Sequence, residues 1–98
     1  MSGYLLKEVN IKEQVRDLLK AYGIFNYPIT QGIATYPGLP DRVLHYRGVA
    51  IYLEIKRPGG KLSEAQKRFQ VQCLADGINY WVIDDVEELA KLLEGTSE

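Results

Sequence analysis

Cysteine and histidine are scarce in this sequence, which contains one of each among its 98 residues. The single cysteine, Cys73, excludes an internal disulfide, and no cysteine-histidine ligand set for a structural zinc site exists. Cys73 lies in a helical pattern with Phe69 and Leu74, so we expect a buried core thiol. The absence of disulfides fits a reducing compartment.

Long apolar runs are also missing. No apolar run reaches the roughly 18 residues that a membrane span requires, and the N-terminus MSGYLLKEVN lacks the layout of a signal peptide. We therefore expect a cytoplasmic protein without a membrane partner. A chain of this length without repeats fits one compact domain over residues 1–98, with a frayed tail over about 95–98.

The charge is unevenly distributed, although the formal net charge is only −1. Residues 84–98 hold six acids and one lysine, so the first 83 residues carry eleven basic groups against seven acids, a formal +4. A basic body with an acidic tail is compatible with a nucleic-acid partner. On charge alone, an ordinary mixed surface fits equally well.

Hydrophobic periodicity and turn residues predict seven elements in the order α-β-β-β-α-β-α. The pattern predicts an α/β fold with one mixed sheet flanked by helices. For the first helix, Asn10 to Glu13 also match a capping box that would begin it at Ile11. The strand NYWVI has the composition of a buried core strand. The predicted elements are a helix over 8–22, a strand over 24–29, a hairpin over 41–56, a helix over 63–76, a strand over 79–83 and a helix over 85–94.

The hairpin has a defined register if its turn falls at Arg47-Gly48, because Tyr46 then pairs with Val49 and Asp41 faces Glu54. A three-residue loop would shift this pairing by one. Opposed carboxylates, roughly 5 Å apart at Cβ, are destabilising unless a positive charge lies between them. Alternation along the second strand also places Glu54 and Lys56 on the same face.

Three carboxylates, Glu8, Asp41 and Glu54, suit Mg²⁺ or Mn²⁺, which prefer hard oxygen ligands. A lysine beside such an ion, here Lys56, would orient or deprotonate an attacking water and offset charge on a phosphate. Two plainer interpretations stay open: Glu54 and Lys56 form an ordinary surface ion pair, and Glu8 is a solvated acid at a helix end. His45 lies about 13 Å along the strand from Asp41, so we expect a surface or packing residue.

Four motifs together resemble the virus-type replication-repair nuclease (VRR-NUC) family of the PD-(D/E)xK superfamily. They are Glu8, then GLPD at 38–41, EIK at 54–56 and SEAQ at 63–66. The ExK motif alone is weak evidence for the family. The four motifs together are specific evidence, and they span nearly the whole chain. The resemblance implies a restriction-endonuclease-like core and hydrolysis of DNA phosphodiester bonds with one or two Mg²⁺ or Mn²⁺ ions, in a compact form of the kind found in phages and bacteria.

The resemblance also implies a role for each matching residue. Lys56 would be the catalytic lysine, and Gln66 would act in the active site, although SEAQ alone predicts that Gln66 caps the helix with Ser63. The family often has an arginine before the proline-rich loop, and here FNYPITQG has none. The implied catalytic set is Asp41, Glu54, Lys56 and Gln66, and the implied metal ligands are Glu8, Asp41, Glu54 and the backbone carbonyl of Ile55.

For partners, the resemblance implies branched DNA such as a Holliday junction, and a homodimer, since two symmetric nicks need two related sites. No organic cofactor is expected. Alternatives are a nuclease for flap, nicked or linear DNA, a non-catalytic DNA-binding module, and a protein-interaction domain that uses its tyrosines. The basic residues expected to contact DNA phosphates are Arg42, Arg57, Lys61, Lys67 and Arg68.

Overall fold

The structure, a computed structural model, describes residues 8–95, apart from the side chains of residues 8 and 9. Three helices and four strands follow one another in the predicted order, which confirms the α/β fold. The elements are α1 (Glu8–Ala21), β1 (Phe25–Pro28), β2 (Arg42–Tyr46), β3 (Val49–Ile55), α2 (Glu64–Ala75), β4 (Asn79–Ile83) and α3 (Val86–Gly95).

The four strands form one mixed sheet in the order β1-β2-β3-β4. β1, β2 and β3 are antiparallel neighbours, and β4 is parallel to β3 across the α2 connection. In the β2–β3 hairpin Tyr46 pairs with Val49, which confirms the predicted register. Arg47 (φ 53°) and Gly48 (φ 82°) both adopt left-handed conformations, as a tight two-residue hairpin turn requires.

The main hydrophobic core lies between the sheet and helices α1 and α3. Ile51, Leu53 and Ile55 of β3 point into it and are at most 2% exposed. Helix α2 covers the opposite face of the sheet, where Phe69 contacts the rings of Tyr52 and Tyr80 at 5.3 and 6.0 Å. Cys73 of α2 is 3% exposed, which confirms the predicted core thiol.

One expectation about an individual element was wrong. β4 has the composition of a core strand, but only Ile83 in it is buried, and among the described residues β4 is an edge strand that pairs with β3 alone. α1 includes Glu8, which agrees with the predicted helix over 8–22 and not with the alternative start at Ile11. α3 extends through Gly95, and residues 96–98 of the predicted frayed tail lie outside the described part of the chain.

Within residues 8–95, none of the helices has both the length and the apolar composition needed to cross a membrane.

Candidate active site

Glu54 is a buried carboxylate at the centre of the site, with only 2% of its surface exposed. Strand alternation turns it away from the main core and toward α2. Gln66 Nε2 donates a hydrogen bond to Glu54 Oε2 at 3.0 Å, and Lys56 Nζ lies 3.3 Å from the same oxygen. Burying a carboxylate is costly unless it is paired, and these two groups supply that pairing. The interpretation of Glu54 and Lys56 as an ordinary surface pair was therefore wrong.

Gln66 caps helix α2 with Ser63 and also contacts the candidate active site at Glu54. Its Oε1 accepts from the Ser63 backbone N–H at 2.8 Å, while the Ser63 hydroxyl accepts from the Gln66 N–H at 3.1 Å. This reciprocal pair is a capping box, which begins α2 where SEAQ predicts. Because the Gln66 Nε2 remains available to donate to Glu54, the start of α2 is tied directly to the buried carboxylate.

Asp41 and Glu54 lie one position beyond the paired part of the hairpin. The paired register ends at Arg42 and Leu53, so the ladder itself does not include the predicted pair. Asp41 Oδ2 accepts from the Ile55 backbone N–H at 2.8 Å. This side-chain bond ties Asp41 to the residue that follows Glu54.

Lys12 of α1 is a site residue that was not predicted from the sequence. Its Nζ lies 3.2 Å from Asp41 Oδ1, with the two side chains 41% and 19% exposed. The available signal was its position four residues after Glu8, on the same side of the helix. Lys12 and Lys56 place one ammonium group beside each carboxylate, so the repulsion expected between Asp41 and Glu54 is offset by two counter-charges.

The Gly38-Leu39-Pro40-Asp41 loop is positioned by close contact with α2. Gly38 adopts φ +87°, and a Cβ there would collide with the backbone carbonyl of Ala65 and lie 2.9 Å from the Gln66 nitrogen. Only glycine fits this approach. The loop that carries Asp41 and the helix end that carries Gln66 are therefore held against each other.

Tyr80 is a second residue that the sequence did not single out. It pairs with Tyr52 across β3 and β4, so both rings lie on the sheet face of Glu54. Its hydroxyl is buried and has no hydrogen-bond partner among the described residues. Burial, and secondarily the charge of Glu54, raises the pKa of Tyr80 well above its usual value.

The predicted DNA-contacting residues lie in two places. Four of them follow the EIK strand, in the loop and helix after it, where Lys67 is 3.3 Å from Glu64 Oε2. Arg42 lies on the α1 side of the sheet, and its Nε donates to Asn26 Oδ1 at 2.9 Å. Burial, and then the charge of Arg16, lowers the pKa of Arg42. The exposed four are Arg57, Lys61, Lys67 and Arg68.

Of the three carboxylates predicted to bind metal, the described side chains supply two, Asp41 and Glu54. The described residues include no group of three or more histidine, cysteine, aspartate or glutamate residues placed to hold a metal. The side chain of Glu8, the predicted third carboxylate, lies outside the described part of the structure. Asp41 and Glu54 remain as adjoining oxygen donors, and Mg²⁺ is commonly held by one or two carboxylates together with water.

A comparison with solved structures relates this arrangement to a known fold. One matching structure is described as a "VRR_NUC domain"; it superimposes with a TM-score of 0.76 at 23% identity and covers 91% of this chain and 96% of its own. No family model and no curated protein matches the sequence. The chain has the fold of a VRR_NUC domain.

Proposed function

We propose that this protein is a divalent-metal-dependent nuclease that hydrolyses DNA phosphodiester bonds. The observation that carries the proposal is the buried carboxylate Glu54, which is held by Lys56 and Gln66 beside Asp41. Burial of a carboxylate that is only 2% exposed carries a desolvation cost, even beside a lysine, and binding of a divalent cation would offset that cost. The nuclease fold to which the chain is similar supports the same assignment.

In this proposal Asp41, Glu54 and the Ile55 carbonyl hold Mg²⁺ or Mn²⁺, with Glu8 as a further ligand. The ion would lower the pKa of a bound water and polarise the phosphate. Gln66 fixes the orientation of the Glu54 carboxylate through its 3.0 Å bond. Lys56 places a positive charge where the phosphate gains negative charge, which is the stabilisation that lowers the barrier.

We further propose that the substrate is branched DNA, in the manner of a Holliday junction resolvase, and that two copies of this single-domain protein act together in the cytoplasm. Two related sites would make the two symmetric nicks that a four-way junction needs. Exposed apolar side chains on α2 offer a surface for a second copy, since Val71 is 64% exposed and Leu74 is 80% exposed.

The test is cleavage of a labelled four-way junction and of a linear duplex of the same sequence, in Mg²⁺ and in Mn²⁺, by the wild type and by Lys56→Ala. We expect paired symmetric nicks at the junction, and a loss of at least 100-fold in rate for Lys56→Ala because charge stabilisation is removed. Lys91→Ala is the matched control, because Lys91 is an exposed lysine of α3 outside the site.

Other outcomes of this test are equally informative. Equal cutting of the two substrates, lost in Lys56→Ala, would retain the nuclease and reject the resolvase. Metal-dependent cutting that Lys56→Ala leaves unchanged would remove Lys56 from the mechanism. Binding of DNA without cutting in either metal would favour the non-catalytic DNA-binding module.

A further inference from the structure

Helix α1 carries a line of basic residues that leads away from the site. Lys12, Arg16 and Lys20 are spaced by four residues, so they share one side of the helix. Lys12 begins this line at Asp41, where its Nζ is 3.2 Å from Oδ1. Arg16 therefore lies about 6 Å further along the helix axis than Lys12, the residue that contacts Asp41.

Arg42 brings a second guanidinium to the same place from the sheet. It follows Asp41 directly, and β2 turns its side chain toward α1. The bond from Nε to Asn26 Oδ1 holds the guanidinium, while its terminal amino groups make no hydrogen bond to another described residue. An arginine fixed through Nε presents those terminal groups as a fork.

Arg42 follows Asp41 in the chain, and Arg16 lies four residues after Lys12, whose Nζ contacts Asp41, so the helix and the strand direct both arginines to the neighbourhood of the same carboxylate. Arg16 is exposed, and it belongs to none of the ion pairs found between described residues. Two like charges in the same neighbourhood repel each other, and a bound anion would offset that repulsion. Arg16 and Arg42 together therefore favour the binding of an anionic group.

We propose that Arg16 and Arg42 form a phosphate-binding pair that holds the nucleic-acid backbone beside Asp41. The inference rests on the proposed function, which places the scissile phosphate at Asp41 and Glu54. Arginine forks bind phosphate oxygens in a bidentate manner, and such contacts position a strand without reading its bases. The pair lies on the α1 side of the sheet, so the bound strand would pass the site between α1 and the exposed basic residues that follow β3.

The test separates DNA binding from cleavage. Equilibrium binding to a labelled duplex and a labelled four-way junction is measured in chelator at several salt concentrations, for the wild type, Arg16→Gln, Arg42→Gln and the control Lys91→Gln. Each lost phosphate contact should reduce the slope of log affinity against log salt by about one. We expect this loss for Arg16→Gln and for Arg42→Gln on both DNAs, and no change for Lys91→Gln.

Arg16→Glu gives a readout that distinguishes a binding role from a structural one. A carboxylate beside Arg42 removes the repulsion and creates an attraction, so the melting temperature at low salt should rise. The same substitution places a negative charge against the backbone, so DNA affinity should fall at least tenfold. Because the two effects have opposite signs, weaker binding by Arg16→Glu cannot result from loss of the fold.

Unchanged affinity and unchanged salt slope in Arg16→Gln and Arg42→Gln, with a wild type that cleaves DNA, would overturn the phosphate pair and leave the nuclease intact. If the wild type binds DNA but does not cleave it, and both variants lose salt-dependent binding, the nuclease would be overturned and the phosphate-binding pair retained. A wild type without measurable DNA binding would overturn the pair.

Discussion

At the scale of single residues, the polar groups with the largest effect on stability are the buried ones. Glu54 is 2% exposed and keeps its carboxylate paired with Gln66 and Lys56, whereas the Tyr80 hydroxyl is buried on the same face without a hydrogen-bond partner among the described residues. A buried polar group without a partner costs roughly 1–3 kcal/mol. The two residues therefore predict opposite consequences when their polar atoms are removed.

Tyr80→Phe should leave the free energy of unfolding at pH 7 unchanged or raise it by about 1 kcal/mol, because only an unbonded hydroxyl is lost. The folded state raises the pKa of Tyr80 by burial, so the stability linked to its neutral form is complete below the unfolded value near 10 and decreases at higher pH. The wild type should therefore lose stability more steeply than Tyr80→Phe above about pH 10.

Denaturant unfolding between pH 7 and pH 11 measures both effects. Tyr36→Phe is the matched control, because Tyr36 contacts the same Phe69 ring at 6.2 Å but is 66% exposed. A loss of more than about 1 kcal/mol in Tyr80→Phe at neutral pH would mean that the hydroxyl is hydrogen-bonded after all.

At the scale of elements, the contact between the Gly38 loop and the start of α2 sets the site. The loop carries Asp41, and the helix start carries Gln66, which holds Glu54. A small displacement between these two elements would move both candidate ligands. Gly38 is the position at which this contact can be changed with the addition of one carbon.

Gly38→Ala should destabilise the protein more than Gly23→Ala does. Both glycines have left-handed φ angles, +87° and +71°, but an added Cβ meets α2 backbone atoms only at Gly38. Alanine in this conformation costs roughly 1–2 kcal/mol at either position. Overpacking adds about 1–3 kcal/mol at Gly38, where the atoms in the way are backbone.

Thermal and denaturant unfolding of the two variants gives the difference, and DNA cleavage gives its consequence for the site. We expect Gly38→Ala to lose cleavage activity even at temperatures where it is folded, and Gly23→Ala to retain it. Equal destabilisation of the two variants would show that the loop can move away from α2 without cost.

At the scale of the whole molecule, ion binding should be linked to folding. In the structure Lys12 and Lys56 stand beside Asp41 and Glu54, so an arriving divalent ion competes with two ammonium groups. We still expect net stabilisation, because a divalent ion bound by two carboxylates favours the folded state over the unfolded chain.

Addition of Mg²⁺ or Mn²⁺ at ten times its dissociation constant should stabilise the protein by about 1.4 kcal/mol, which raises the melting temperature of a domain of this size by several degrees. Melting curves are compared in metal and in chelator at matched ionic strength. Asp41→Asn should show a much smaller shift, since it removes one charged ligand. Equal melting temperatures for the wild type in metal and in chelator would contradict the metal site.

The sequence by itself determined the order of the elements, the hairpin register and the shared face of Glu54 and Lys56, because backbone geometry alone sets turn conformation and strand alternation. The tertiary structure decided the rest. It placed β4 at the sheet edge, buried Glu54 beneath α2, and brought Lys12 to Asp41. These outcomes depend on how elements distant in the chain pack, and local spacing carries little information about that packing.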